Sequence, residues 1–255
     1  MNTEPSASAE TTRNRSLNVN RIAPIANLDL VSIAMSKLIN RQDGLPGLGV
    51  YYGPSGYGKT TTIVAVANET RAYYVQMRSA WGKKALLEKI AFEMGMRPAA
   101  TVSANLDLIC EQMSTSQRPL ILDEADHAAS RPGMVELLRD IYEGSQAPLM
   151  LVGEEMLPNK LKKFERFHGR VLAWVPAQPV TMSDALKLKD IYSPDIAIAD
   201  DLLAYVVDLA HGSVRRLCVN LVNIQEHAML NGLDAIDRAT WGTQPLYTGD
   251  APRRV

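Results

Sequence analysis

Leu48-Gly49-Val50-Tyr51-Tyr52-Gly53-Pro54-Ser55-Gly56-Tyr57-Gly58-Lys59-Thr60-Thr61 is the stretch that decides the fold. It reads as an apolar strand running into a glycine-rich turn and then a helix. Within it, Gly53 to Thr60 matches G-x-x-x-x-G-K-[ST]. Glycines let the backbone curl so that successive amide N–H groups point inward, a cradle for phosphate oxygens. The helix that follows, predicted from about Lys59 to Glu69, aims its positive end at the same place. The candidate nucleotide contacts are therefore Gly53, Pro54, Ser55, Gly56, Tyr57, Gly58, Lys59 and Thr60, with Thr61 beside them. Lys59 is expected to meet the β- and γ-phosphates of ATP, and the Thr60 hydroxyl to ligate Mg²⁺.

A second signal is Pro119-Leu120-Ile121-Leu122-Asp123-Glu124, an apolar strand ending in two acids. A carboxylate at the C-terminal end of a parallel strand beside a phosphate loop can hold Mg²⁺ through water, the role expected of Asp123. An adjacent acid not committed to the metal can polarise the attacking water, which makes Glu124 the candidate general base.

Working outward, predicted strands at 48–52, 72–77, 120–122, 149–152 and 171–175 alternate with helical stretches. Several are continuous apolar runs, the mark of a parallel sheet covered on both faces. The helical stretches include 22–39, 83–94, 104–113, 134–142 and a basic one at 157–167. Beyond Pro179 the runs at 181–192, 200–211 and 213–230 read as helices, and no strand-like run is visible. The expected class is α/β, a P-loop NTPase with a parallel five-stranded sheet, helices on both faces and a small C-terminal helical lid. The expected divisions are a polar, disordered arm at 1–21, a nucleotide-binding core at 22–177, a lid at 178–243 and a flexible tail at 244–255.

Composition excludes other classes. Of 255 residues, 46% are hydrophobic and 22% charged, ordinary for a soluble globular protein and unlike a disordered or collagen-like chain. No apolar run approaches the ~18 residues a membrane span needs. Neither a secretory signal nor a disulfide framework is visible, Cys110 and Cys218 each standing alone, so a cytoplasmic protein without membrane contact is expected. With 27 basic against 28 acidic residues the net charge is −1. Any nucleic-acid contact must therefore rest on local charge or on many subunits together.

The strand–loop–helix, the Asp-Glu pair and the helical lid together resemble an AAA+ ATPase. Three further segments, Leu122-Asp123-Glu124-Ala125-Asp126-His127, Ala91-Phe92-Glu93-Met94-Gly95-Met96 and Leu149-Met150-Leu151-Val152-Gly153, are similar to those of the transposition ATPases of the phage Mu B and TnsC type. The resemblance covers about residues 30 to 235. It departs at the N-terminus, where no helix-turn-helix module precedes the first helix, and after the fourth strand, where Glu154 replaces the usual polar sensor.

What the resemblance implies is more specific than the motifs. A neighbouring subunit would supply an arginine to the γ-phosphate. Arg166 and Arg170 are the candidates, and Arg170 aligns better with the family pattern. Gly212-Ser213-Val214-Arg215-Arg216 is similar to the lid arginine motif, with Arg215 reaching the γ-phosphate from the chain's own lid. Arg78-Ser79-Ala80-Trp81-Gly82-Lys83-Lys84 falls where such assemblies face a central channel, so Arg78, Lys83 and Lys84 become candidate contacts to double-stranded DNA. Lys160, Lys162 and Lys163 form a second basic group suited to subunit contacts. The implied activity is ATP-dependent, sequence-nonspecific DNA binding that is released by hydrolysis, the hydrolysis being slow and stimulated by assembly on DNA, with self-association into a ring or helical filament and recruitment of a transposase. A helicase loader or replication-initiation ATPase of the DnaC/DnaA type, and an ExeA-like ATPase with no DNA role, stay open as alternatives.

Overall fold

A computed structural model describes residues 22–250. The expected arm at 1–21 and residues 251–255 of the expected tail lie outside the described residues. Five parallel strands, β1 (Leu48–Tyr52), β2 (Tyr73–Gln76), β3 (Leu120–Asp123), β4 (Leu149–Gly153) and β5 (Val171–Pro176), form one sheet in the order β2-β3-β4-β1-β5. Both faces of the sheet are covered, which is why its strands read as continuous apolar runs. β4 is buried at every position, and truncating Leu151 to Ala there is expected to cost about 2–5 kcal/mol.

Side chains alternate across the sheet. Leu120, Leu122, Leu149 and Leu151 face a large apolar layer under α3 (Lys83–Glu93), α4 (Val102–Ser116) and α6 (Pro132–Ser145). Ile121, Met150 and Val152 face the other layer, under α1 (Ala26–Ile39) and α2 (Lys59–Thr70). The helix α6 shows why such sequences settle here: Pro132 opens it, and Val135, Leu138, Ile141, Tyr142 and Ser145 make one buried stripe. Pro at the first turn lacks only an N–H that would be unpaired anyway.

Three sequence expectations need correction. The first helix begins at Ala26, not Ile22. Pro24 disfavours helix at the residue before it, and Ala23 and Ile25 instead pack into the apolar cluster of the lid. The basic stretch at 157–167 is two short helices, α7 (Leu157–Leu161) and α8 (Glu165–His168), rather than one. Between α3 and α7 the chain also forms the short α5 (Asp126–Ala129), directly after the acidic pair.

Beyond β5, α9 (Met182–Tyr192), α10 (Asp200–Ala210), α11 (Val214–Leu230) and α12 (Arg238–Trp241) surround their own core of Leu202, Val206, Leu217, Leu221, Ile224 and Trp241. This region also holds strands, against expectation. β6 (Ala197–Ile198) and β7 (Ala235–Ile236) form a two-stranded parallel pair, each too short for any period to register in sequence. In the expected flexible tail, buried Asn220 holds the main chain of Tyr247 in both directions, at 3.0 and 2.7 Å.

Two buried polar residues join lid and core. Asp184 of α9 accepts the Ala26 N–H at 2.9 Å, so the lid supplies the N-terminal cap that Ile25 cannot. It also closes a capping box with Thr181. Asn27 donates to the Tyr57 and Gln178 carbonyls and accepts the Gln178 N–H at 2.7 Å. The phosphate loop, α1 and the segment leading into the lid are thereby fastened together.

Candidate nucleotide-binding site

The C-terminal ends of β1, β3 and β4 open into a cleft of about 330 Å³, whose walls include Gly56, Lys59, Thr60, Asp123, Glu124 and, from the lid, Arg215. That volume lies at the small end of the roughly 300–1,000 Å³ typical of small-molecule sites. The loop is shaped by glycine where it must be. Gly56 and Gly58 have φ of +85° and +79°, and a Cβ on Gly56 would lie 2.5 Å from the Ser213 hydroxyl. Gly58 caps α2 without any side-chain bond, which leaves the first N–H groups of that helix unpaired and facing the cleft, an anion site by construction.

Lys59 donates to the Gly53 and Pro54 carbonyls at 2.7 and 2.8 Å. Burial draws its ammonium below the ordinary lysine value, and the carboxylates of Glu124, Asp123, Glu154 and Asp126 oppose that shift. Among the described residues this cation has no carboxylate in hydrogen-bond contact, and a phosphate would supply an anionic partner. Thr60 donates to Asp123 Oδ2 at 2.9 Å. The two side chains expected at Mg²⁺ thus converge on one point, and an alcohol beside a carboxylate is the oxygen donor set that hard cation favours. The residues present fit both ATP phosphates and Mg²⁺.

Glu124 follows at φ +56°, a left-handed conformation rare for a residue with a long side chain. Its N–H bonds Asp123 Oδ1 at 2.8 Å, so Asp123 is occupied on both oxygens. Glu154, the weak sensor candidate, also borders the cleft. From the lid, the Arg215 N–H donates to the Gly56 carbonyl at 3.0 Å, and the Ser213 hydroxyl reaches the same oxygen at 3.4 Å. The loop residues, Asp123, Glu124 and Arg215 are therefore brought together.

Arg170 is not part of that cluster. Its carbonyl accepts the Leu48 N–H, which puts it at the N-terminal end of the strands, opposite the end that carries the cleft. There its Nε pairs with Glu143 at 2.9 Å, both side chains nearly half exposed. Arg166 lies beside it, in the same surface depression. Arg78, Lys83 and Lys84 are exposed at the C-terminal side of β2. The Arg78 guanidinium sits 5.8 Å from the Trp81 ring, and Lys84 pairs with Glu88 at 3.7 Å. The Trp81 carbonyl accepts from Arg131 at 2.7 Å, which ties this loop to the end of α5. Of the second basic group, Lys160 is paired within the chain, its ammonium 2.6 Å from Asp126.

Other residues at the site carry no motif. Tyr74 donates to Asp123 Oδ2 at 3.0 Å, and burial, with Asp123 and Glu124 nearby, pushes its phenol well above the ordinary value. The register pairs Tyr74 with Ile121 and Gln76 with Asp123, so period two alone puts Tyr74 on the Asp123 face once that register is known. An apolar crevice of about 60 Å³ lies against the loop, walled by Ile22, Ala23, Ile25, Leu188, Tyr192 and Val214. Cys218 borders the main cleft, and burial pushes its thiol up to about 11.

Residues 42–161 match the family model of the AAA domain. That stretch, a little under half of the chain, is similar to an AAA-type P-loop ATPase domain. The chain's five-stranded sheet with flanking helices is the AAA+ fold, and solved structures share it. The Aeropyrum pernix ORC2 protein, solved in ADPNP–ADP complexes, is 16% identical with a TM-score of 0.69, covering 87% of this chain and 68% of that one. The A. pernix ORC1 protein in complex with DNA is 20% identical with a TM-score of 0.59, covering 89% and 66%. The Thermotoga maritima RuvB Holliday junction branch migration motor is 17% identical with a TM-score of 0.58, covering 85% and 67%. At these identities the likeness is one of fold, and this chain spans about two thirds of each of those proteins. No curated protein matches the sequence. Among the described residues, no helix is long and apolar enough to cross a membrane.

Proposed function

We propose that this protein hydrolyses ATP and uses the nucleotide to control its assembly on double-stranded DNA. The observation that carries the first half is the convergence of Thr60 and Asp123 at 2.9 Å, with Lys59 on one side and Glu124 on the other. The N–H groups of Ser55 to Thr61, which include the open end of α2, hold the phosphates of ATP. Lys59 turns from the Gly53 and Pro54 carbonyls toward them. Thr60 and Asp123 hold Mg²⁺, which when bound neutralises charge on the phosphates. Glu124 takes a proton from the attacking water. Arg215 approaches from the lid, and Arg170 serves the site of the next subunit.

The DNA half rests on Arg78, Lys83 and Lys84, exposed on the loop after β2 and the first turn of α3 in a chain with net charge −1. A single such patch gives weak, salt-sensitive binding, and repetition around an assembly multiplies it. In this reading the protein is a cytoplasmic transposition ATPase that captures target DNA with ATP, activates a transposase and leaves upon hydrolysis. The fold shared with the ORC1 protein in complex with DNA favours a second reading, a replication-type initiator or loader. Fluorescent duplex titrated with protein and a slowly hydrolysed ATP analogue tests the first claim. ATP-dependent, cooperative, sequence-tolerant retention supports it, and nucleotide-independent binding or none overturns it. Pull-down with a transposase or with a replicative helicase then separates the two clients.

A further inference from the structure

We infer that Asp126 is a positioning residue for Glu124, acting through the corner at the end of β4 and through Lys160 on α7; this rests on the proposed role of Glu124 in hydrolysis. Asp126 carries a carboxylate that is only 10% exposed. One oxygen accepts the Glu154 N–H at 2.6 Å, and the other meets the Lys160 ammonium at 2.6 Å. Contact with the neighbouring strand is so close that a Cβ on Gly153 would lie 2.3 Å from Asp126 Oδ2. Asp126 itself does not border the cleft, whereas Glu124, Gly153 and Glu154 do.

The reason for such a bracket lies two residues earlier. A left-handed backbone at a non-glycine residue costs about 1–2 kcal/mol and persists only where its surroundings over-determine it. Glu124 at φ +56° is such a residue. On its N-terminal side it is held by Asp123 Oδ1. On its C-terminal side the Ala125 N–H reaches the Val152 carbonyl at 2.8 Å, and Asp126 bonds the next residues of the same strand end. Without Asp126 only the Ala125 bond fixes the turn to β4, and the carboxylate of Glu124 loses its fixed place over the cleft. A displacement of about 1 Å is enough to cost on the order of 10²-fold in rate. A buried ion pair contributes little net stability and is more informative as a device that fixes geometry.

The test compares Asp126→Asn, which keeps an acceptor for Glu154 but loses the ion pair, with Lys160→Met and Lys160→Arg. Each is made in the wild-type and in the Glu124→Gln background. Phosphate release and the affinity for a fluorescent ADP are measured on the full chain. The inference expects kcat to fall ~10-fold or more in Asp126→Asn and Lys160→Met with ADP affinity within about twofold, and Lys160→Arg to restore most of it. In the Glu124→Gln background the same changes should cost almost nothing further, since the group they position is gone. Lys160 is at the surface, so its variants carry the test if Asp126→Asn fails to fold. A wild-type kcat in Asp126→Asn or Lys160→Met, an equal loss in both backgrounds, or a parallel loss of ADP affinity overturns the inference alone. A wild-type chain that does not hydrolyse ATP, or a Glu124→Gln chain as fast as wild type, overturns the reading of the site and this inference with it.

Discussion

Replacing Arg170 by Ala separates a residue that serves its own subunit from one that serves its neighbour. The Arg170 carbonyl is bonded to Leu48 N–H at the start of β1, and the phosphate loop begins at Gly53. Five residues of strand at ~3.3 Å each put about 16 Å between the two levels, beyond the span of an arginine side chain. Arg170 therefore has no route to its own cleft and acts, if it acts, on another copy. Its pair with Glu143 is nearly half exposed on both sides, worth roughly 0.2–1 kcal/mol, so the substitution leaves the fold intact. An arginine aimed at a transferring phosphoryl group contributes about 10³–10⁵ in rate, or about 4–7 kcal/mol. That exceeds the cost of leaving Glu143 several-fold, so assembly can recruit the side chain. In steady-state phosphate-release assays Arg170→Ala should bind ATP normally and turn over at background. Mixed equally with Lys59→Ala protein, roughly a quarter of the interfaces join an intact loop to an intact arginine, and activity should return in proportion. Wild-type turnover by Arg170→Ala, or no rescue at any ratio from two variants that co-assemble, refutes the assignment.

Three further outcomes are expected. Glu124→Gln should keep ATP affinity and slow single-turnover hydrolysis by ~10²-fold or more; an unchanged rate removes Glu124 as the base. The double change Lys83→Ala with Lys84→Ala should weaken all duplexes about equally and flatten the salt dependence of binding, with nucleotide affinity intact; a sequence-selective loss in a salt series contradicts phosphate contact. Gly56→Ala should lose nucleotide affinity by calorimetry, because φ +85° strains an alanine by about 1–2 kcal/mol and its Cβ meets Ser213 Oγ. Adding Ser213→Gly should recover only the part due to contact.

How much of this was legible in the sequence depends on whether the chemistry is local. Phosphate binding needs several adjacent amides, a lysine and a hydroxyl, so Gly53 to Thr60 spells its function in one stretch. The strand ending in Asp123 and Glu124 and the lid turn at Gly212 to Arg215 are equally compact. The order of the strands was not legible: β4 lies between β1 and β3, and no property of an apolar run states which neighbour it takes. Nor were Tyr74, Asn27 and Asp184, whose side-chain hydrogen bonds reach partners between 30 and 158 residues away. Lys160 reads in the sequence only as one of a basic group with Lys162 and Lys163, and its pair with the Asp126 carboxylate, 34 residues earlier in the chain, comes from the fold alone.

The grip between lid and loop is made of main chain, and that bears on how nucleotide state leaves the cleft. The Gly56 carbonyl takes the Arg215 N–H and the Ser213 hydroxyl, while one residue on, the Tyr57 carbonyl takes Asn27. Asn27 also holds Gln178 in the segment that leads to α9, and α9 returns Asp184 to cap α1. Peptide groups at 56 and 57 that tilt to meet a phosphate must therefore stretch or release bonds to the lid on one side and to α1 on the other. Side-chain substitution at Arg215 removes the guanidinium but leaves its N–H bond to Gly56 in place. The lid can then still follow the loop while losing the contact with the γ-phosphate proposed for Arg215. On that proposal, coupling of lid to loop and sensing by the lid are carried by different atoms of one residue, and only the second is open to removal by changing its side chain.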